Sequence, residues 1–287
     1  MPNIEIDERV DAQPRSLVVR HPVAVLLVGA TVFVWATQMA SLLAGVDVMP
    51  AKIGELVVLL AGATWITARI AGRRGVRRLY AGLTRWRLGM RYLLVVAAMP
   101  LATVVVAAAT GTLHSGGWAA VVSTYLLFLV LGAVTGNLWE ETVWGGFVQG
   151  RLMDARGLLI GSLLTAVPFY LIHLPLAFEA NGWKGTTWQD AAIDWTLLLL
   201  AAPFQRYLIG TLLVDTGGST LAAGLMHASI NAAGAMAVIP GGWQHIPALV
   251  VLTVAVGGYR WRRGLSISDG YAPALITTGE PDPAAQR

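Results

Sequence analysis

The feature that most constrains this chain is its series of long apolar runs. A helix that crosses a bilayer needs about 20 consecutive, mostly apolar residues. The strands of a transmembrane β-barrel would alternate between polar and apolar residues, which these runs do not. The sequence therefore predicts an all-α, polytopic membrane protein of about eight transmembrane helices. The candidate spans lie near residues 22–45, 53–71, 92–110, 118–149, 158–177, 192–213, 219–239 and 246–259.

The composition supports this class and excludes others. Charged residues make up 13% of the chain and hydrophobic residues 56%, against roughly a quarter and about 45–50% in soluble domains. A water-soluble enzyme and a disordered chain are both excluded. The absence of cysteine excludes disulfides, a thiol nucleophile and a cysteine zinc site. The arginines cluster beside apolar runs, so membrane lipid is the predicted partner, and nucleic acid is not.

The positions of the arginines predict the orientation. Eight of them fall in the connection between the second and third spans, at 69–91, and others cluster at 9–20, 151–156 and 260–263. Basic connections stay on the cytoplasmic side. We therefore expect a multi-pass protein of the plasma membrane with both termini in the cytoplasm. The expected organisation is a cytoplasmic segment 1–20, a single eight-helix membrane domain 21–263, and a disordered cytoplasmic tail 264–287.

Polar residues inside the spans point to a function. A charged side chain at the centre of a membrane helix costs about 2.5–3.5 kcal/mol on insertion scales, and it therefore needs a partner or a wet cavity. Glu140 and Glu141 lie in the fourth span, His173 in the fifth and His227 in the seventh, with Asn231 one turn after His227. Each of these residues alone has a structural explanation. Together they provide groups that activate a water and stabilise an oxyanion, or that bind zinc.

These residues also form three motifs that resemble those of a known family. The segment from Glu140 to Phe147, the pair Phe169 and His173, and the pair His227 and Asn231 resemble the motifs of the CAAX protease and bacteriocin-processing (CPBP, or Abi) family, which includes the Rce1-type prenyl endopeptidases. The resemblance covers about 138–235. It implies an intramembrane endopeptidase with a polar cavity inside the bilayer.

The resemblance also assigns roles to residues. Glu140 with His173 would activate the attacking water, while His227 and Asn231 would stabilise the oxyanion, and Glu141 completes the candidate catalytic set. A second scheme for this family places a divalent metal such as zinc at Glu140, His173 and His227. Both schemes remain open at this stage.

One position departs from the family pattern. The first motif usually reads Glu-Glu-x-x-x-Arg, and Gly145 stands where the arginine belongs. Glu141 should therefore find a cation on another helix or remain protonated. Arg206, in the sixth span, is the candidate cation. Its alternative is to extend toward the lipid head groups, as long basic side chains often do.

Three functions follow as hypotheses. The first is an intramembrane endopeptidase that hydrolyses a peptide bond in a membrane-anchored peptide or protein substrate. The second is a non-catalytic family member that acts as an immunity or membrane-scaffold protein, which the missing arginine suggests. The third, a proton-coupled transporter, lacks the broken-helix repeats typical of that class. The presence of Glu140, His173, His227 and Asn231 favours the enzyme.

Overall fold

The computed structural model describes residues 16–114, 117–236 and 243–266, and these residues form helices with no strand among them. Two π-helical segments, Ala133–Asn137 and Thr142–Gln149, and two short 3₁₀ segments, Gly82–Thr84 and Leu174–Phe178, connect or interrupt the α-helices. The α-helices are α1 Leu17–Arg20, α2 Pro22–Ala44, α3 Met49–Ala81, α4 Met90–Ala109, α5 Trp118–Gly132, α6 Leu138–Glu141, α7 Gly150–Ile172, α8 Gly182–Gly185, α9 Trp188–Asp215, α10 Thr220–Gly234 and α11 His245–Arg262.

The predicted fold class is confirmed. Five helical stretches in the described residues are long and apolar enough to cross a membrane, and one of them, Trp118–Ile172, is 55 residues long and contains two of the predicted spans. α10 and α11, with 15 and 18 residues, coincide with the last two predicted spans but fall outside that set. The fifth predicted span is shorter than expected, because α7 ends at Ile172 and a 3₁₀ segment with Pro175 follows. The total of eight crossings stays a prediction.

Two glycines reverse the chain inside helical stretches. Gly157 has φ 78° and ψ 170°, a conformation that residues with a side chain avoid. The reversal brings Gly161 against the backbone of Met153, since a Cβ added to Gly161 would lie 2.5 Å from the Met153 nitrogen. Gly72, with φ 61°, does the same in α3, and the Tyr80 and Thr64 hydroxyls then lie 2.7 Å apart.

The helices bury two main apolar cores that meet around α9 and α10. One core joins α4, α5, α9, α10 and α11, and the other joins α2, α3, α7 and the π segment Thr142–Gln149. Large apolar side chains such as Val32, Leu101 and Leu126 remain exposed on the outer helices, as lipid-facing positions require. α10 is buried over most of its length, so its polar residues must find partners inside the protein.

The two ends of the bundle differ in charge. We name the arginine-rich end by its residues 72–91, 150–157, 215–219 and 260–266. There the Ser219 hydroxyl donates to the Arg85 carbonyl oxygen at 3.0 Å, and Arg260 forms an ion pair with Asp215. The opposite end consists of residues 45–52, 110–114, 173–194 and 243–245, and there Lys52 pairs with Glu179 at 2.9 Å.

Some predicted features lie outside the described residues. These are most of the N-terminal segment 1–20, most of the tail 264–287, and the last part of the predicted span 219–239. The division into one membrane domain and two terminal segments stays a prediction.

Candidate active site

The two adjacent glutamates occupy a single α-helical turn between two π-helical segments. α6 spans Leu138–Glu141, with Ala133–Asn137 before it and Thr142–Gln149 after it. π-helical turns are rare and frequently occur at functional sites. Successive residues of an α-helix point about 100° apart, so Glu140 and Glu141 meet different surroundings.

Glu141 is fully buried and forms a two-pronged ion pair with Arg206. Arg206 Nη1 and Nη2 donate to Glu141 Oε1 and Oε2 at 3.0 and 2.6 Å, and both side chains are 0% exposed. Parallel hydrogen bonds of this kind fix the orientation of a carboxylate as well as its charge. The prediction that Arg206 lies beside Glu141 is met, and its alternative of extending toward the head groups is wrong, because the side chain reaches no solvent or lipid.

Arg206 is in turn held by Gln149. Arg206 Nε donates to Gln149 Oε1 at 3.1 Å, and Gln149 Nε2 donates to the Arg206 carbonyl oxygen at 2.6 Å and to Ser162 Oγ at 2.9 Å. All of these side chains are buried. Gln149 of the π segment therefore holds the guanidinium in position, and Ser162 of α7 holds Gln149.

Gly145 explains why the usual arginine is absent. A Cβ at this position would lie 2.9 Å from Glu141 Oε2 and 3.3 Å from a methyl carbon of Leu213. The bare backbone at Gly145 leaves the space through which the Glu141 carboxylate turns toward α9. The cation that pairs with Glu141 lies on α9 and not on the glutamates' own helix.

Glu140 is the more accessible of the two carboxylates. Its side chain is 28% exposed, Asn137 Nδ2 donates to its Oε2 at 3.1 Å, and the same oxygen lies 3.7 Å from His227 Nδ1. In the described residues no arginine or lysine pairs with it. Glu140 can therefore accept further hydrogen bonds, whereas both oxygens of Glu141 are already occupied by Arg206 and His227.

His227 contacts both glutamates through one nitrogen. Its Nδ1 lies 2.9 Å from Glu141 Oε1, and a carboxylate can only accept, so Nδ1 carries a hydrogen. Gly224 makes this approach possible, since a Cβ there would lie 2.8 Å from the Leu138 Cα. α10 thus packs directly against α6 through a small residue.

His173 is oriented by its own helix. Its Nδ1 lies 2.6 Å from the Phe169 carbonyl oxygen, which can only accept, so Nδ1 is again the protonated nitrogen and Nε2 is left for other contacts. The Phe169 ring packs against both histidines, with centroid distances of 4.5 Å to His173 and 5.9 Å to His227. The same ring lies 5.1 Å from the Arg206 guanidinium carbon. Phe169 therefore joins the predicted residues into one cluster.

The predicted residues converge only in part on one cavity. A cavity of about 580 Å³ is lined by His173, Gln205 and Asn231 at one side and by Asp194 and Trp243 at the other. Glu140 and His227 do not line it, although Glu140 acts electrostatically on His173. The structure therefore does not show one cavity around all the predicted residues. Glu140, Glu141 and His227 contact one another on one side, His173 and Asn231 line the open cavity on the other, and the Phe169 ring packs between the two histidines.

Sequence reasoning missed four buried polar residues near this cluster, namely Gln38, Glu55, Gln149 and Gln205. Glu55, only 8% exposed, accepts from Gln38 Nε2 at 2.9 Å and interacts electrostatically with Glu140. Gln38 and Glu55 lie inside predicted spans, so the cost of inserting a polar side chain, which singled out Glu140, could have marked them as well. Gln149 and Gln205 carried only the weaker signal of an uncharged amide in an apolar run.

The donor groups do not form a ready metal site. Among the described residues, no three His, Asp or Glu side chains converge as a metal-binding set. The side-chain nitrogen that His227 presents to the glutamates bears a hydrogen, and Glu141 is already neutralised by Arg206. The described residues therefore do not form the zinc site predicted at Glu140, His173 and His227, and a bound metal stays a prediction.

Comparison with known proteins places these residues in a family. No curated protein matches the chain. Residues 122–233 match the family model described as type II CAAX prenyl endopeptidase Rce1-like, and this range contains the glutamates, both histidines and Asn231. The family resemblance drawn from the three motifs is therefore confirmed: the part of the chain that carries the candidate site matches the Rce1-like family model.

Proposed function

We propose that this protein is an intramembrane endopeptidase that hydrolyses a peptide bond of a membrane-associated substrate. The observation that carries the proposal is the division between the two glutamates. Glu141 is paired with Arg206 and His227, whereas Glu140 stays partly exposed beside His227. A carboxylate with free acceptor capacity next to imidazoles is what a general base requires.

In the proposed mechanism, Glu140 and His173 bind the attacking water. Glu140 takes a proton from it, and the hydroxide attacks the carbonyl carbon of the scissile bond. His173 orients the water through Nε2, which is an acceptor because Nδ1–H is given to Phe169. Glu140 then returns the proton to the leaving amine. Glu141 and Arg206 are positioning residues that hold His227.

His227 and Asn231 are the proposed oxyanion stabilisers. Asn231 supplies an amide donor from the cavity wall. With Nδ1–H directed at Glu141, a neutral His227 has no hydrogen on Nε2, so it serves the oxyanion only as the imidazolium.

The test is a cleavage assay on the protein purified in detergent, with a peptide library as substrate. Glu140→Gln should lower the cleavage rate about 10²- to 10⁴-fold, as expected for loss of a general base, and should leave the thermal unfolding temperature unchanged. Glu179→Gln, a matched change at the opposite end, should cleave like wild type. Cleavage by Glu140→Gln at the wild-type rate would contradict the proposal.

The same variant, Glu140→Gln, tested for cellular function, separates the enzyme from a scaffold or immunity protein. The sequence argument for a non-catalytic protein was the missing arginine, and Arg206 now provides a cation for Glu141. A scaffold would retain its cellular function in Glu140→Gln, since neither fold nor surface changes. An enzyme would lose it.

The metal alternative has its own measurement. We expect cleavage to persist in chelator and the purified protein to hold no stoichiometric divalent metal. One zinc per chain, lost on His173→Ala, would restore the zinc scheme.

A further inference from the structure

We infer that the substrate reaches the active site from the non-cytoplasmic side, through the cavity lined by His173, Gln205 and Asn231. The inference rests on the proposed function for its substrate, but the side on which the cavity opens is a separate, measurable property. With access from that side, the substrate would be a polypeptide segment exposed at or beyond the outer leaflet, rather than a protein tail presented in the cytoplasm.

The residues that line the cavity show at which end of the bundle it opens. Its lining includes Gln205, in the middle of α9, and Asp194, one to two turns from the start of α9. Asp194 and Trp243 are exposed, and both belong to the part of the bundle formed by residues 173–194 and 243–245. The cavity therefore opens at the opposite end, away from the arginine-rich end.

The charges at the two ends of the bundle indicate which end faces the cytoplasm. The arginine-rich end gathers the basic connections of the bundle, at 72–91, 150–157 and 260–266, onto one surface. Short basic connections remain on the cytoplasmic side of membrane proteins. In the described residues, the opposite end carries two lysines against four acids, namely Lys52 and Lys184 with Asp47, Glu179, Asp190 and Asp194. The opposite end therefore faces outward.

The inner end of the cavity is suited to a peptide. Its volume of about 580 Å³ falls within the range of ligand pockets, about 300–1,000 Å³. Gln205 is 6% exposed, and its amide nitrogen has no hydrogen-bond partner among the residues that the structure describes. An unpaired buried amide is costly, and a backbone carbonyl of a bound peptide would satisfy it. It lies beside the proposed catalytic His173 and Asn231.

On the arginine-rich side the same site is closed. Glu141, Gln149 and Arg206 are fully buried there, and the small cavity near that end is lined by Thr67, Gly146 and Thr220 and by none of the proposed catalytic residues. The outward cavity, by contrast, is lined by His173 and Asn231.

The test uses the absence of cysteine from the sequence, since any introduced thiol is the only one. Single-cysteine variants Asp194→Cys and Leu198→Cys place the thiol in the cavity lining. Lys184→Cys is an exposed control at the same end, and Arg74→Cys one at the arginine-rich end. Each is treated in intact cells with a membrane-impermeant maleimide, and again after permeabilisation.

We expect Asp194→Cys, Leu198→Cys and Lys184→Cys to react in intact cells, and Arg74→Cys only after permeabilisation. In the peptide assay, the adduct at 194 or 198 should block cleavage, and the adduct at 184 should not. Reaction of Arg74→Cys in intact cells, or of the cavity thiols only after permeabilisation or not at all, overturns the inference. Labelling requires no cleavage, so failure of the proposed function alone would leave outward labelling intact.

Discussion

The polar residues at the centre of this protein fall into two groups that differ in burial and in how fully they are hydrogen-bonded. In the closed group, Glu141, Gln149, Ser162 and Arg206 satisfy one another and are shielded from solvent. In the open group, Glu140, His173, Gln205 and Asn231 retain unused donors or acceptors and border the cavity or its neighbouring contact. Under the proposed function, the closed group would hold the neighbouring side chains in position, and the open group would bind and react with the substrate.

Breaking the closed group should produce the largest loss of stability. Arg206→Met leaves a buried carboxylate without its cation, and removal of one partner from a buried ion pair costs about 3–5 kcal/mol. We expect a lower unfolding temperature in detergent and no cleavage. The double variant Arg206→Met with Glu141→Leu should regain most of the stability and none of the activity. A stable, active Arg206→Met would show that the two groups do not differ as described.

A smaller loss is expected from filling the space beside Glu141. Gly145→Ala would place a methyl group 2.9 Å from Glu141 Oε2, and overpacking of this kind costs about 1–3 kcal/mol. Gly145→Arg, which restores the usual motif, should lower stability further while Arg206 is present. Gly136→Ala is a matched control, since nothing lies within 4 Å of a Cβ there. A rise in activity from Gly145→Arg alone would contradict the steric argument.

In the open group, the same kind of change should affect binding rather than folding. Gln205→Leu removes an amide whose nitrogen has no partner in the described residues, so the unfolding temperature should stay the same or rise. Loss of one hydrogen bond to the substrate should lower kcat/KM roughly 3- to 10-fold, mainly through KM. A steep loss of stability instead would assign Gln205 to the closed group.

The smallest effect is expected at the exposed ion pair. Lys52 and Glu179 are each about one-third exposed and 2.9 Å apart, and solvent-exposed pairs contribute about 0–1 kcal/mol. Lys52→Ala should therefore shift the unfolding temperature little and leave cleavage unchanged. An effect as large as that of Arg206→Met would mean that burial does not set the difference between the pairs.

Much of this division could be predicted from the sequence, and part of it could not. The insertion cost of charge marked Glu140, Glu141 and Arg206, and the reach of an arginine side chain made their pairing testable. Which helices become neighbours was not readable, because it depends on the glycine contacts at 145 and 224 and on the reversal at 157. For that reason Gln149 and Gln205 acquired their roles only in three dimensions.

The Glu141–Arg206 contact also has a consequence for biosynthesis. The two residues are 65 positions apart, and the helical hairpin that turns at Gly157 lies between them. During synthesis Glu141 therefore reaches the membrane before its counter-charge exists, at the insertion cost of about 2.5–3.5 kcal/mol that an unpaired central charge carries. The hairpin can form early, since Gln149 and Ser162 are only 13 residues apart. The candidate site is completed late, when the ribosome has delivered α9 and α10, so a nascent chain arrested before α9 holds both glutamates but cannot assemble the site around them.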